Sequence, residues 1–121
     1  MHVRIVTFRL DGLDHEGLRQ QADAVAPAFA ELPGLLAKIW LADPATATYG
    51  GVYLFATAAD AAAALDGDLF RRVAEHPHFV DLTVRDFGVL DGPTARTSPF
   101  HRPFAAVGGP GEAALDASSF D

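Results

Sequence analysis

The chain has 121 residues, of which 50% are hydrophobic and 21% are charged, and its formal net charge is −7 at pH 7. This composition is that of one globular domain with a modest core. The acidic balance argues against nucleic acid and anionic membranes as partners, because clustered Lys and Arg residues bind phosphate groups. Because the chain has no cysteine, it forms no disulfide framework, thiolate metal site or cysteine nucleophile.

The N-terminal residues and the hydropathy pattern predict a cytoplasmic protein. Residues 1–5 lack the long apolar segment of a signal peptide. The chain also has no apolar run of about eighteen residues, the length that predicts a transmembrane helix. We therefore expect no membrane partner.

The first third of the chain predicts a strand and an amphipathic helix. Residues 2–9 are rich in β-branched and aromatic side chains, which is typical of a strand. Asp14 is suited to cap a helix. After it, one helix face carries hydrophobic residues at helical spacing: Leu18, Ala22, Val25, Phe29 and Leu32. Pro27 should kink the helix or split it near Val25, because its ring removes a hydrogen bond.

The middle of the chain predicts a hairpin and a second helical region. Strands are expected over residues 35–42 and 51–57. Thr57 can cap a helix that begins in the alanine run 58–64. Gly67 interrupts this helix, and helical spacing resumes up to Glu75.

A fourth strand over residues 79–90 completes the order β-α-β-β-α-β. This order predicts an α+β, ferredoxin-like fold, in which two helices cover one face of a four-stranded antiparallel sheet. We expect it to occupy residues 1–91 and a Pro/Gly-rich C-terminal tail to occupy 92–121. The tail's phenylalanines suggest that part of it docks on the body or on a partner chain: Phe100, Phe104 and Phe120.

Strand alternation sorts the predicted sheet residues into two sets. The aliphatic set contains Val3, Ile5, Ile39, Leu41, Val52, Leu54, Val80, Leu82 and Val84. The aromatic and cationic set contains Arg4, Val6, Phe8, Lys38, Trp40, Tyr53, Phe55, Arg85 and Phe87. We expect the helices to cover the aliphatic set. The aromatic set would then be left open, which predicts a homodimer that packs sheet against sheet.

The predicted hairpin carries a resemblance to a known family. Pro33–Trp40 (PGLLAKIW) followed by Gly50–Phe55 (GGVYLF) resembles the central signature of the YdhR-like monooxygenases. These belong to the dimeric α/β-barrel superfamily, with the antibiotic-biosynthesis monooxygenases, polyketide cyclases and haem-degrading enzymes. The resemblance implies a homodimeric barrel that oxygenates aromatic or polyketide-like compounds without metal or flavin, so no cofactor is expected.

Several side chains of the hairpin are candidates for substrate binding. Trp40, Tyr53 and Phe55 could line a pocket for a flat aromatic substrate, or they could pack in a dimer core. Lys38 and Arg85 could stabilise a phenolate or enolate. Salt bridges across the dimer are the alternative for both cations.

A second candidate cluster follows the predicted second helix. A neutral His76 or His78 could act as the base, with Phe79 beside the substrate. Interaction of these histidines with the carbonyls at the helix end is the structural alternative. The cluster lacks a third definite metal ligand, so no metal site is predicted. In the tail, His101 and Arg102 could close the pocket as a lid or could simply be solvated.

These residues lead to three hypotheses for function. The first is a cofactor-free monooxygenase in which a histidine forms a substrate anion that reacts with dioxygen. The second is a cyclase or isomerase of secondary metabolism, in which the same anion reacts without oxygen. The third is a non-catalytic dimer that binds a hydrophobic small molecule. No nucleophile elbow or phosphate-binding glycine loop supports other enzyme classes.

Overall fold

The structure is a computed structural model that describes residues 1–98. The unit Met1–Val89 contains a four-stranded antiparallel sheet in the order β2-β3-β1-β4 and three helices. Its elements are β1 (His2–Leu10), α1 (His15–Ala30), β2 (Leu35–Asp43), β3 (Thr48–Phe55), α2 (Ala58–Leu65), α3 (Asp68–Ala74) and β4 (Phe79–Gly88). The predicted ferredoxin-like fold is confirmed.

A separate unit begins at Leu90 and contains the short helix α4 (Asp91–Thr97), which was not predicted from the composition. The predicted docking of the tail and the candidates His101 and Arg102 fall on residues 99–121, outside the described part of the chain. None of the helices within residues 1–98 is long and apolar enough to cross a bilayer.

The helix caps form as the sequence predicts. The Asp14 carboxylate accepts a hydrogen bond from the backbone N–H of Gly17 at 2.8 Å. The Thr57 hydroxyl accepts one from the backbone N–H of Asp60 at 3.0 Å. Each cap satisfies a backbone donor that has no partner within its helix. The caps thereby fix where α1 and α2 begin above the sheet.

Some predicted boundaries are wrong. Of the kink or split expected at Pro27, the split does not occur, because α1 continues through Pro27 to Ala30 and anchors its last turn with the buried Phe29. Pro27 lies on the exposed side, where water can satisfy the carbonyl that loses its partner. Strand β3 begins at Thr48 rather than at residue 51, since its ladder with β1 continues to the pair Arg9–Thr48.

The prediction of which sheet face the helices cover is also wrong. The buried core joins Phe29 and Ala61 of the helices to aromatic and small residues of β1 and β3: Val6, Phe8, Tyr49, Tyr53 and Phe55. The helices therefore cover the aromatic face. Arg4 tolerates this burial because its guanidinium donates to Asp86 Oδ1 at 3.0 Å and to the Ala61 carbonyl at 2.8 Å.

The prediction of which β4 side chains share a face with those of the other strands is also wrong. Arg4 pairs with Asp86 and Val6 pairs with Val84, so the even-numbered residues near the end of β4 share the helix-covered face. Arg85 and Phe87 instead lie on the opposite face. The register shifts around Asp81, whose φ is 55°, and this bulge breaks simple alternation at the start of the strand.

The face away from the helices is aliphatic and partly open. Ile39 is 59% exposed and Phe87 is 40% exposed, and both lie on the same face as Val3, Ile5 and Val52. An apolar sheet face of this kind favours covering by another surface. The homodimer stays a prediction, now seated on this face rather than on the aromatic one.

We expect the chain to be dimeric at micromolar concentration and Ile39→Lys to be monomeric, because the added charge would be buried without a partner. Ala59→Lys, at an exposed position on α2, adds the same charge away from this face and should remain dimeric. Analytical ultracentrifugation distinguishes these states. A monomeric parent chain, or an Ile39→Lys dimer as stable as the parent, would contradict the prediction.

Candidate functional site

A cavity of about 450 Å³ lies between helices α1 and α3 and the covered face of the sheet. Its aromatic wall residues are Phe8, Phe29, Trp40, Tyr49, Tyr53 and Phe79. Its polar residues include His15, Arg19, Gln21, Lys38, Arg72 and His76. A concave site with apolar walls and a few polar groups is the usual form of a small-molecule site.

Lys38 is held among aromatic rings in this cavity. Its Nζ lies 3.4 Å from the ring centroids of Phe29 and Trp40 and 4.6 Å from that of Tyr53. We call these rings the aromatic cage. Lys38 and Trp40 lie two residues apart on β2, so their side chains share one face of the sheet. Tyr53 is the cross-strand partner of Lys38 on β3, and α1 supplies Phe29.

The ammonium group of Lys38 has no ionic partner among residues 1–98. No carboxylate in the described part of the chain lies within 4.0 Å of it, and the rings provide electrostatic stabilisation at 3.4 Å. Burial lowers the pKa of Lys38 to about 7. The side chain therefore lies close to the balance between ammonium and amine at neutral pH.

Two consecutive glycines make room for this arrangement. A Cβ at Gly51 would lie 2.9 Å from Cε of Lys38, and one at Gly50 would lie 1.8 Å from the carbonyl oxygen of Val6. Any larger residue at these positions would push either the lysine stem or strand β1 away. The Gly50–Gly51 pair of the sequence signature thus has a packing reason beside the cage.

Tyr53 is buried at the base of the cage, where it stays neutral. Its side chain is only 5% exposed, and burial raises its pKa to about 12, although the nearby Arg4 charge opposes this. Phe55 stacks on Tyr53 with centroids 6.2 Å apart but does not line the cavity. The prediction that Phe55 contacts substrate is therefore not supported, since its ring is part of the core.

His15 and Tyr49 form a polar pair in the cavity. His15 Nδ1 and the Tyr49 hydroxyl are 2.9 Å apart, and either can donate according to the imidazole tautomer. Tyr49 is only 3% exposed, whereas His15 lies at the exposed start of α1. The pair can therefore pass a proton between the buried cavity and the solvent side.

His76 and Phe79 line the cavity as predicted, but both nitrogens of His76 are engaged. Its Nδ1 accepts the backbone N–H of His78 at 3.1 Å, so its Nε2–H faces the Gln21 amide oxygen at 2.9 Å. Burial, together with the neighbouring His78, lowers the pKa of His76. Its ring stacks on Phe79 with centroids 3.8 Å apart, which favours a role in shaping the wall.

Two predicted site residues lie away from the cavity. His78 Nδ1 donates to the Asp11 carbonyl at 2.8 Å and so fixes the connection between β1 and α1. Arg85 lies on the opposite sheet face, where its guanidinium is 5.0 Å from the Phe87 ring centroid. Neither residue can contact a ligand in this cavity. Within residues 1–98, no three His, Asp or Glu side chains converge as a metal site would require.

Sequence reasoning missed His15, Arg72 and the site role of Tyr49. His15 precedes Leu18 by three residues and so extends the apolar stripe of α1 by one turn toward its N-terminus. That spacing is a signal that could have found it. Tyr49 was hidden by the late predicted start of β3, since its pairing with Phe8 places it on the covered face.

The cage predicts a pH-dependent stability difference between the parent chain and Lys38→Met. Between pH 7 and 10 the unfolded chain keeps this lysine protonated while the folded chain does not, so the parent gains stability as pH rises. Lys38→Met should therefore lose stability relative to the parent by roughly 1.4 kcal/mol for each pH unit between 7 and 10.

Urea unfolding at several pH values measures this difference. Arg71→Met is the matched control, because Arg71 is an exposed cation on α3 that stays charged throughout this range. Its stability difference from the parent should not change with pH. An equally constant difference for Lys38→Met would contradict burial of a titrating amine.

Comparisons with known proteins agree with this fold and identify a family. The family model described as "Putative mono-oxygenase ydhR" matches residues 4–99. No curated protein matches the chain. Several solved structures share the fold, and three of them are described next.

The first is the NE2512 protein of unknown function from Nitrosomonas europaea, with a TM-score of 0.62 and 17% identity, covering 74% of this chain and 88% of that one. The haem-degrader MhuD from Mycobacterium tuberculosis has a TM-score of 0.60 and 19% identity, covering 74% and 96%. The cofactor-independent oxygenase SnoaB from Streptomyces nogalater has a TM-score of 0.59 and 16% identity. The match covers 74% of this chain and 92% of SnoaB. From the family match over residues 4–99, this chain belongs to the YdhR family.

Proposed function

We propose that this protein is a monooxygenase that oxidises a flat aromatic or polyketide-like compound without metal or flavin. The observation that carries the proposal is Lys38, a cation without an ionic partner among residues 1–98, inside an aromatic-walled cavity. A substrate anion would supply the missing charge. The family membership and the oxygenase activity of SnoaB, which has the same fold, support this choice of reaction.

The cavity walls favour a planar substrate. Trp40 and Phe29 meet edge to face, with ring centroids 5.5 Å apart, and Phe8 stacks on Phe79 at 3.9 Å. These rings offer flat apolar surfaces on two sides of the cavity. A fused-ring phenol or enolisable ketone would place its rings against them and its oxygen toward Lys38.

The His15–Tyr49 pair is suited to remove the substrate proton. With His15 in the Nε2–H tautomer, the Tyr49 hydroxyl donates to Nδ1. The substrate proton passes to the Tyr49 oxygen as the tyrosine proton passes to His15, whose exposed ring then releases it to solvent. The ammonium form of Lys38 stabilises the resulting phenolate or enolate, which is the usual way a buried cation lowers such a barrier.

The substrate anion then reacts with dioxygen itself. Its nucleophilic carbon forms a bond to one oxygen atom, and protonation gives a hydroperoxide. Loss of water from a CH–OOH group leaves a carbonyl, so CH₂ and O₂ become C=O and H₂O. The substrate carbon is oxidised and dioxygen is reduced, so the balance needs no other oxidant.

Oxygen uptake with anthrone, an enolisable tricyclic ketone, tests this proposal. We expect Lys38→Met and Tyr49→Phe each to lower the uptake rate by about 100-fold, the typical contribution of positioned proton transfer or anion stabilisation. Arg71→Met, a change outside the cavity, should leave the rate unchanged.

The other two hypotheses predict different results. A cyclase or isomerase would convert an enolisable polyketide-like substrate equally well under anaerobic conditions. A binding protein would bind anthrone, measured by quenching of Trp40 fluorescence, without turning it over. Oxygen uptake that is unaffected by both cavity substitutions would contradict the proposed roles of Lys38 and Tyr49.

A further inference from the structure

We propose that Lys38 also acts as a nucleophilic amine, forming an imine with an aromatic aldehyde or ketone held in the cavity. This role differs from that of the proposed oxygenase, in which Lys38 acts as a cation. It needs neither dioxygen nor deprotonation of the ligand. It therefore stands or fails independently of the monooxygenase proposal.

Burial of Lys38 disfavours its ammonium form. Its Nζ contacts the rings of the cage and has no carboxylate, hydroxyl or carbonyl partner among residues 1–98 that would hold it as an ammonium. Burial lowers its pKa to about 7, so near neutral pH a large fraction of the molecules carries a free lone pair. Desolvation among apolar groups is an established way to make a lysine nucleophilic.

The amine is also accessible to a ligand. Lys38 lines the cavity of about 450 Å³, which is large enough for a bicyclic aromatic compound. The absence of a side chain at Gly51 lets the Lys38 stem lie against β3, because a Cβ there would come within 2.9 Å of Cε. The partly exposed Trp40 stands on edge strand β2 and can support the flat face of the ligand.

The reaction balances without any further reactant. The Nζ lone pair attacks the carbonyl carbon and forms a C–N bond, giving a carbinolamine. The C–O bond then breaks and a C=N bond forms. The carbonyl oxygen leaves as water with the two hydrogens of the amine, and no electron is gained or lost overall.

Reductive trapping with 2-naphthaldehyde and cyanoborohydride tests the proposal. Lys38 is the only lysine of the chain, so the N-terminal amine is the only other primary amine that can be labelled. Peptide mass spectrometry separates the two positions. We expect adduct formation at Lys38 at pH 7, at a rate that saturates with aldehyde concentration and rises with pH around a midpoint near 7.

A matched control places an ordinary lysine on the surface. Arg71→Lys in the Lys38→Met background puts one amine on an exposed part of α3, outside the cavity. At pH 7 it should react at least ten-fold more slowly than Lys38, because a solvated lysine with an ordinary pKa is almost fully protonated. Circular dichroism of each variant checks that the fold is retained.

Two results would overturn the proposal. One is labelling confined to the N-terminus of the parent chain. The other is labelling of Lys38 no faster than that of the surface lysine at position 71. Because the readout is a covalent adduct rather than turnover, inactivity with anthrone would not produce either result.

Discussion

The contact between Lys38 and the aromatic cage ties together the parts of the structure that form the site. Its rings come from β2, β3 and α1, so the cage exists only when the hairpin pairs in register and α1 packs across it. The cavity lies between α1, α3 and the sheet, and Lys38 lines it beside the cage.

The covered face contains two cations with opposite roles. Arg4 is only 3% exposed, and its guanidinium contacts Asp86, the Ala61 carbonyl and the Phe55 ring. It fixes the register of β1 and β4. Lys38 has rings around it but no counter-charge among residues 1–98, so it retains the capacity to bind or react. This contrast is the reason that we propose a functional role for Lys38 and a structural one for Arg4.

Titration near neutral pH allows one side chain to have two chemistries. As an ammonium, Lys38 can stabilise a substrate anion that the His15–Tyr49 pair has formed. As an amine, it can add to a carbonyl. Both proposals use the same cavity and the same desolvation, but they differ in which protonation state contacts the ligand.

The element order, the caps at Asp14 and Thr57, and the importance of the Pro33–Phe55 hairpin could be predicted, because they depend on local patterns. The sheet faces could not be assigned from alternation alone. Aromatic and cationic residues suggested an interface, yet Arg4 is satisfied by partners distant in sequence and the rings of the cage pack under α1. The bulge at Asp81 and the pair Arg4–Asp86 decided the orientation of β4, and both are tertiary features.

Of the predicted site, Lys38, Trp40, Tyr53, His76 and Phe79 line the cavity, whereas His78, Phe55 and Arg85 do not. Contacts with neighbouring elements decide which of these side chains reach the cavity, and spacing within the sequence does not encode those contacts. His15 could have been found by extending the stripe of α1. Its partner Tyr49 needed the true start of β3.

The proposed site depends on Lys38 being desolvated in the cage, without an ionic partner among residues 1–98. A pH titration of the Lys38 side chain by NMR, with lysine labelled at ¹³Cε, tests this and gives one resonance because the chain has a single lysine. We expect a midpoint near pH 7. A midpoint near the ordinary lysine value of 10.5 would contradict it.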